Sequence, residues 1–551
     1  MNRVILLAIV AILGFATSRA QYFNLTAEEV RIDGRLPIFN HSFDLGTDYD
    51  SSAAYEVELV YPQFIDMSKA DIARLQKIAH DSLPELPVVN CHLSVERKVG
   101  KMDVWLLPLV YRDGRYQKMV SFGLNLVRRS SRQAAATRAT AGERYAENSV
   151  LREGRWAKIR VSESGIHQLT PEIVKKAGFS DLAKVKVYGY GGALQPEKLT
   201  ADYLAETDDL KEIATYATAG RKLFYAQGPV SWNEKNGTRV RNTYSNYGYY
   251  FITESDPEPL TVDSVAFVTS LYPNGDVKAV QATHALYEVD DFAWFNGGRH
   301  LYDSQTIGSE GGREYVLNIR TDSGKGTMTV VITADAATTA TVAVNDTTFN
   351  ISIPALGSYD AASLRQSTFV MDHIADGENR VKITQKGSAN MRLDYISMTS
   401  EAVLPPPNLT TGQFPSVEYV YGITNQNHHA DPIVDMVIII PTTQKQRQYA
   451  ETLAEFHRKH DGLTVNIVPA DELFNEFSSG TPDATAYRRY MKMLYDRAAT
   501  ADEAPKYLLL FGDGAWDNRM LSAGWTKLSP DDFLLCFESE NSLNDVSCFV
   551  S

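Results

Sequence analysis

The sequence has 551 residues, a formal net charge of -14 and a pI near 5.4. This length is too great for one hydrophobic core, so several domains are expected. The excess of acidic residues provides no long-range attraction for phosphate backbones, which argues against nucleic acid as a partner. Tyrosine is abundant, and Thr, Val and Ser recur in short alternating stretches, so the composition predicts a multidomain, β-rich protein.

The amino terminus predicts export from the cytoplasm. Arg3 provides a positive start, residues 4–15 form a nearly unbroken apolar run, and the small residues Ser18 and Ala20 precede Gln21 as at a cleavage site. A membrane anchor is the alternative, but this run is shorter than the roughly 20 apolar residues that span hydrocarbon. We therefore predict a cleaved signal peptide and a mature protein in the cell envelope or outside the cell.

The chain contains three cysteines, Cys91, Cys536 and Cys548, which are too few for a disulfide scaffold. Cys536 and Cys548 could bridge neighbouring strands, but two buried thiols are the commoner outcome. No CxxC or HExxH pattern supports a zinc site. No cofactor is required, and a structural calcium ion stays open without a locatable site, because no Asp-rich EF-hand loop occurs.

Changes in residue pattern divide the chain. Alternating runs such as 55–61 predict strands. A polar stretch and a triple proline indicate linkers. Evenly spaced strands beyond residue 257 predict a β-sandwich. The predicted division is a signal peptide (1–20), a β-rich domain (21–127), a linker (128–148), a mixed domain (149–256), a β-sandwich (257–400), a Pro-rich linker (401–430) and an α/β domain (431–551).

Two features of the β-rich region have a functional and a structural interpretation. The glycine cluster Gly189 to Gly192 could cradle a phosphate, but it lacks the Lys-Ser/Thr of a P-loop, so a tight turn is favoured. Aromatic residues between Phe292 and Tyr302 could form a sugar-binding platform, although a sandwich core and its rim are the commoner explanation.

After Asp431 the pattern becomes that of a parallel α/β sheet. Residues 436–440, 465–468 and 507–511 are apolar strands, and two helical segments separate them. Thr442 or Thr443 is expected to cap the first helix, which carries Tyr449, Leu453 and Phe456 on one side.

Sites in such sheets form beyond the carboxyl ends of the strands, where Asp513 lies between two glycines. Its carboxylate could orient a histidine or bind a cation, whereas an Asx-type turn is an equally good explanation. Asp517, Asn518 and Arg519 share this ambiguity. Cysteine chemistry needs a thiolate beside an imidazole, and neither Cys536 nor Cys548 can be placed next to one of the nearby histidines, His428, His429, His457 and His460.

Several segments, in order, resemble motifs of the type IX secretion sortases, which are gingipain-like (C25) cysteine peptidases. These segments are residues 149–170, 242–251, 392–396, 508–519 and 538–543. The resemblance implies a caspase-like peptidase domain, exported and held at the outer membrane surface. It also implies that the protein removes C-terminal sorting signals from secreted proteins and transfers these proteins to a lipopolysaccharide acceptor. The implied partners include outer-membrane components of the secretion system.

In that family the catalytic histidine and cysteine follow later strands, which here would fall beyond Ser551. The resemblance therefore assigns no catalytic residue to this chain, leaves Asp513 as a candidate carboxylate at the site edge, and predicts no peptidase activity for the 551-residue product. The alternative is a non-catalytic surface protein whose β-domains bind glycan or protein. A nucleotide-binding enzyme is a distant third, because neither glycine cluster fits GxGxxG or a P-loop.

Overall fold

The structure is a computed structural model of the chain. It describes residues 19–33, 36–47, 49, 54–78, 83–129, 144–233, 237–294, 300–357 and 361–537. The apolar run of the predicted signal peptide, most of the predicted linker 128–148, Cys548 and the motif 538–543 lie outside these residues. The chain divides into two compact units, one built mainly from residues before Thr140 and the other mainly from those after it.

The first unit contains two antiparallel sheets. Its elements are β1 (Arg19–Asn24), β2 (Phe39–Gly46), β3 (Ala54–Asp66), α1 (Lys69–Ile78), β4 (Asn90–Glu96), β5 (Val99–Leu106), β6 (Leu109–Arg112) and β7 (Arg115–Arg129). One sheet has the order β1-β7-β3, with β6 also paired to β7, and the other has the order β2-β5-β4. Both sheets contribute to one core, which includes Val57, Met102, Val104 and Leu124.

The second unit begins with short strands around a five-stranded sheet. Its first elements are β8 (Trp156–Val161), β9 (Gly165–Leu169), α2 (Pro171–Lys176), β10 (Val185–Tyr188), α3 (Ala201–Glu206), β11 (Glu212–Ile213), β12 (Tyr216–Thr218), β13 (Arg221–Ala226), β14 (Val230–Trp232), β15 (Arg239–Arg241), β16 (Gly248–Glu254) and α4 (Ser264–Ser270). Strands β12, β13 and β9 form a second sheet, and β14 pairs with β15.

The predicted β-sandwich is confirmed. It comprises β17 (Val280–Glu288), β18 (Arg313–Ile319), β19 (Gly326–Ala334), β20 (Thr338–Val344), β21 (Thr347–Ile353), β22 (Ser363–Met371), β23 (Gly377–Lys386) and β24 (Met391–Val403). The two sheets have the orders β17-β24-β19-β22 and β18-β23-β20-β21. Every second residue of β18, β20 and β23 is buried in the core that the sheets share, as a half-exposed strand requires.

The segment after the sandwich contributes a strand. Although residues 401–430 have the composition of a linker, β24 extends to Val403, and β25 (Glu418–Ile423) pairs antiparallel with β8. The five-stranded sheet thus has the order β11-β10-β16-β8-β25, in which the last strand is more than 150 residues from the others in sequence. Such a distant pairing leaves no local signal in the sequence.

A parallel α/β arrangement follows, as predicted. Its elements are β26 (Met436–Ile440), α5 (Arg447–His460), β27 (Val465–Pro469), α6 (Ala470–Phe477), α7 (Thr485–Arg497), β28 (Tyr507–Leu510), β29 (Gly514–Ala515) and β30 (Leu534–Leu535). The sheet order is β27-β26-β28, and every residue of the central strand β26 is buried. Ile438 packs with α5, whereas Val437 and Ile439 pack with α6 and α7, so both faces are covered.

The predicted start of the first helix is wrong. Helix α5 begins at Arg447 after the N-cap residue Gln446, not after a threonine. Its buried residues are Ala450 and Ala454, whereas Tyr449 and Phe456 are largely exposed. Alanine side chains allow the helix backbone to lie close to the sheet, so the bulky aromatic residues project away from it.

No described helix has the combination of length and apolar character that crossing a membrane requires.

Candidate functional site

The candidate site is the carboxyl edge of the parallel sheet. Because β27, β26 and β28 run parallel, the residues that follow them emerge at one edge. Asp471 follows β27, Thr443 follows β26 and Asp513 follows β28. Thr443 Oγ1 donates to Asp532 across 2.8 Å, and this brings the 530–532 turn to the same edge.

Asp513 lies at this edge with an exposed side chain. Its carbonyl accepts a hydrogen bond from the Leu534 amide across 2.9 Å, and Gly514 and Ala515 pair with the short strand β30. Among residues 19–537 where described, the structure shows no hydrogen bond to the carboxylate of Asp513. The role of Asp513 as a carboxylate of the site remains a prediction.

The loop that follows Asp513 is organised by Asp517 and Asn518. The buried Asp517 carboxylate accepts hydrogen bonds from the amides of Leu521 (2.9 Å) and Ser522 (2.7 Å) and from the Ser522 hydroxyl (2.7 Å). The side chain of Asn518 donates to the Cys536 carbonyl (3.2 Å) and accepts from the Cys536 amide (2.9 Å). Both side chains therefore shape the loop.

Lys158 of β8 reaches the same region from the five-stranded sheet. Its ammonium donates to Asn475 Oδ1 on α6 across 3.0 Å and lies 4.7 Å from the ring centroid of Tyr249. The rings of Phe251 and Tyr421, on the strands that flank β8, lie 5.9 and 5.7 Å away. Aromatic faces attract a cation electrostatically and so offset part of the cost of burying it.

Two carboxylates face this lysine, Asp471 and Asp531. Burial raises the pKa of Asp471 to about 6 against the opposing charge of Lys158, and burial also raises the pKa of Asp531. Burial lowers the pKa of Lys158 to about 8. Asp471 Oδ1 is buried without a hydrogen bond to any described residue. The sheet edge thus holds groups that change charge near neutral pH.

His428 and His429 are held by carboxylates. His428 hydrogen-bonds with Asp431 (2.8 Å) and Glu472 (2.7 Å), and His429 hydrogen-bonds with Glu476 (2.6 Å). Burial alone would lower the pKa values of both rings, but these carboxylates outweigh it and raise them to about 10 for His428 and about 9 for His429. Both rings are therefore imidazolium partners of carboxylates, of which only Glu476 is fully buried, and this makes them unsuited to act as bases.

His457, His460 and Cys536 are further residues of this region whose partners bear on a cysteine–histidine dyad. His457 and His460 both hydrogen-bond with Asp461, across 2.6 and 2.8 Å. Cys536 follows β30, where its sulfur occupies the space beside Gly514 and a Cβ on that glycine would lie only 2.6 Å from it. Each of these four histidine rings thus hydrogen-bonds with a carboxylate, and His429 Nε2 also bonds with the Asp208 carbonyl across 3.1 Å. Cys548 lies outside the described residues.

A second charged group, which we call the three-arginine cluster, consists of Arg239, Arg241, Arg519, Glu288, Asp290 and Asp394. Oxygens of its three carboxylates lie within 4.8 Å of one another, a spacing that a metal ion could bridge. Arg241 lies 2.8 Å from Glu288, however, and Arg519 lies 2.7 Å from Asp290. Three guanidinium groups already balance the three carboxylates, so these residues do not fit a calcium site.

The glycine cluster at 189–192 is a packing contact and not a phosphate cradle. Ser479, between α6 and α7, accepts hydrogen bonds from the amides of Tyr190 (2.9 Å) and Gly191 (3.2 Å). A Cβ on Gly189 would lie 2.6 Å from Ser479 Oγ, and one on Gly192 would collide with the backbone of Gly248. The glycines allow the two backbones to approach closely.

The aromatic residues proposed as a sugar platform are already covered. The Arg392 guanidinium lies 3.7 Å from the ring centroid of Phe292 and 5.4 Å from that of Trp294. Trp294 Nε1 donates to Thr333 Oγ1 of the sandwich across 3.1 Å. These rings are therefore part of the rim of the sandwich, which is the structural interpretation of the sequence.

Comparison with known proteins places the α/β region in a family. Residues 429–547 match the family model of peptidase family C25. This part of the chain is therefore C25-like. The C25 segment contains the parallel sheet, the loop with Asp513 and the histidines His429, His457 and His460.

The wider chain is PorU-like. The crystal structure of dimeric latent PorU from Porphyromonas gingivalis aligns with a TM-score of 0.61 and 27% sequence identity, over 73% of this chain and 45% of the PorU chain. The chain thus spans less than half the length of that protein. The cycloalternan-forming enzyme from Listeria monocytogenes in complex with pentasaccharide substrate aligns with a TM-score of 0.15 and 11% identity, over 58% of this chain and 28% of that chain. No curated protein matches the sequence significantly.

Sequence reasoning missed two residues that tie the C25 segment to its neighbours, Lys158 and Arg519. Lys158 interrupts the apolar positions Ala157 and Ile159, and a lysine at an alternating position is ordinarily solvent-exposed. Arg519 was recognised only as a member of an ambiguous loop. Their partners lie 317 and 229 residues away, so nothing in the local pattern could have identified them.

Proposed function

We propose that this chain is part of a cysteine endopeptidase of the sortase type. In this proposal the enzyme removes C-terminal sorting signals from proteins that pass through a type IX secretion system and helps to attach them to the cell surface. The observation that carries the proposal is the C25 family match over 429–547 within a chain whose fold aligns with PorU.

The proposed chemistry is attack of a cysteine thiolate on the peptide carbonyl before the signal. An acyl-enzyme forms and the signal leaves as the amine product, after which the acyl group passes to an acceptor amine or to water. Because His428 and His429 are hydrogen-bonded to carboxylates, we do not assign either as the base. We assign neither the base nor the nucleophile to a described residue, and Asp513 is proposed to lie at the edge of their site.

The proposed location is the outer membrane surface, reached by way of the amino-terminal signal. The proposed partners are cargo proteins with C-terminal sorting signals, outer-membrane components of the secretion system and a lipopolysaccharide acceptor. The exported character of residues 1–20 and the PorU-like fold support this proposal.

The test is to purify the native gene product from the envelope of the bacterium that carries it and to incubate it with a cargo protein that retains its C-terminal signal. We expect cleavage before the signal, transfer of the cargo to an added amine, and loss of both after alkylation of thiols. Absence of cleavage, or cleavage that survives alkylation, would contradict a cysteine peptidase.

A further inference from the structure

Arg519 connects the loop at the carboxyl end of β28 to the β-sandwich. Its Nη1 lies 2.7 Å from Asp290 Oδ2, and the two side chains are only 4% and 5% exposed. Asp290 follows β17, the first strand of the sandwich. The pair therefore joins the C25 segment to a domain that precedes it in the chain.

The contact is unusual within the three-arginine cluster, because Arg519 alone of its six members belongs to the C25 segment. Arg241 also faces Asp290, at 3.4 Å, and comes from β15. Burial, together with repulsion by Arg519, lowers the pKa of Arg241 to about 10. Two cations thus converge on one buried carboxylate, which secures the end of the Arg519 side chain.

Arg519 Nη1 also donates to Asn246 Oδ1 across 3.4 Å, whereas the following bonds of the loop lie within the C25 segment itself. Asp517 accepts hydrogen bonds from the amides of Leu521 and Ser522, and Asn518 is bonded to Cys536. Asp513, at the start of the same loop, is held through its carbonyl by Leu534. These bonds define the shape of the loop, whereas Arg519 ties it to the sandwich.

We propose that Arg519 is a positioning residue: through its ion pair with Asp290, the β-sandwich holds the 512–522 loop, and with it Asp513, at the carboxyl edge of the parallel sheet. The sandwich is then a structural support of that edge and not a separate binding module. That loss of this ion pair would slow signal cleavage rests on the proposed function. That the ion pair supports the loop does not depend on the proposed function.

Hydrogen exchange on the purified chain tests the support. In Asp290→Asn, which preserves the shape of the side chain, the amides of Leu521 and Ser522 are expected to exchange about tenfold faster, because the loop opens more often once its tie is neutral. Arg519→Gln is expected to give the same result. If that variant fails to fold, the Asp290→Asn variant still decides the question.

The matched control is Asp303→Asn. Asp303 also pairs with an arginine of the β-rich region, Arg313, across 2.7 Å and is equally buried, but the pair makes no contact with the loop. This variant is expected to leave exchange at Leu521 and Ser522 unchanged. Unchanged loop exchange in Asp290→Asn, or an equal increase in Asp303→Asn, would overturn the proposal.

A second measurement separates this proposal from the proposed function. Cells with the Asp290→Asn allele are expected to process cargo signals more slowly than wild-type cells at equal protein levels, and cells with the Asp303→Asn allele at the wild-type rate. If deletion of the gene leaves cargo processing intact while the loop still loosens in Asp290→Asn, the proposed function fails and the support of the loop stands. If deletion blocks processing and Asp290→Asn changes neither exchange nor processing, the positioning role fails.

Discussion

Glu476 and His429 share a hydrogen bond of 2.6 Å, and neither side chain is exposed to solvent. The second oxygen of Glu476 accepts hydrogen bonds from the His428 amide (2.8 Å) and from Gln426 (2.9 Å). One carboxylate on α6 thus organises the turn that leads into the parallel sheet. The two histidines contribute to folding through their bonds to this carboxylate.

Removal of the Glu476 charge is expected to destabilise the second unit strongly. In Glu476→Gln the His429 imidazolium loses its counter-ion in a buried position, and breaking such a pair typically costs about 3–5 kcal/mol. The free energy of unfolding should be measured by urea denaturation. Glu418→Gln is the control, because Glu418 pairs with Arg160 but is 57% exposed, so its loss should cost less than about 1 kcal/mol. Equal losses in the two variants would contradict the account.

The contribution of His428 to the free energy of unfolding is expected to decrease as the pH rises. Its pKa is raised from 6.5 to about 10 in the folded protein, so the stabilisation is complete below pH 6.5 and disappears as the pH rises through 10. The difference in unfolding free energy between wild type and His428→Asn should therefore be largest near pH 6 and shrink toward pH 10. A difference that grows with pH would show that His428 is neutral in the folded state.

The glycine cluster is expected to be sensitive to a single methyl group. A Cβ on Gly191 would collide with the Tyr250 hydroxyl and the Gln227 carbonyl, whereas a Cβ on Gly220 would meet nothing within 4 Å. Both glycines have positive φ, +86° and +73°, so the backbone strain of an alanine is similar at the two positions. Gly191→Ala should therefore cost about 2 kcal/mol more than Gly220→Ala in urea denaturation. Similar costs would show that the close approach is not required.

Lys158 and Asp471 are expected to be coupled. In Lys158→Met the carboxylate of Asp471 loses its opposing positive charge. In the double variant with Asp471→Asn that carboxylate is absent as well. The double variant should therefore lose less unfolding free energy than the sum of the losses in the single variants. A coupling of about 1–3 kcal/mol is expected for neighbours in one charged network. A double-mutant cycle by urea denaturation measures it. Strict additivity would show that the two groups do not interact.

Regular elements could be predicted from the sequence because their signal is local. The unbroken apolar run of β26 indicated burial on both faces, and the alternation in β20 indicated a sandwich strand. The buried face of α5 does not follow from apolar size, because the small residues Ala450 and Ala454 pack against the sheet, whereas Tyr449 and Phe456 are largely exposed. Helical spacing shows which residues share one face of a helix, but the elements that pack against the helix determine which face is buried.

The candidate site could be predicted only in outline. The carboxyl edge of the sheet follows from the order of strands and helices, and Asp513 was found because glycines flank it. The Lys158–Asn475 hydrogen bond and the Arg519–Asp290 ion pair could not be predicted, because each joins residues far apart in sequence and each involves a charged residue that a single sequence suggests is exposed. Such contacts are determined by the tertiary structure and have no local signal in the sequence.

We expect the histidines at 428–460 not to serve as the base for Cys536, because their rings are hydrogen-bonded to carboxylates. Fluorogenic peptide substrates with basic, acidic and apolar residues before the cleaved bond test this expectation. Cys536→Ala is the matched control. Hydrolysis by the chain that disappears in Cys536→Ala would contradict this assignment.

The central claim is that the gene encodes a sortase-type C25 peptidase that acts on C-terminal sorting signals. Mass spectrometry of the carboxyl termini of secreted cargo, in cells with and without the gene, tests it most directly. The account predicts that cargo retains its signal when the gene is deleted and loses it again when the intact gene is restored. Correctly trimmed carboxyl termini in the deletion strain would contradict the claim.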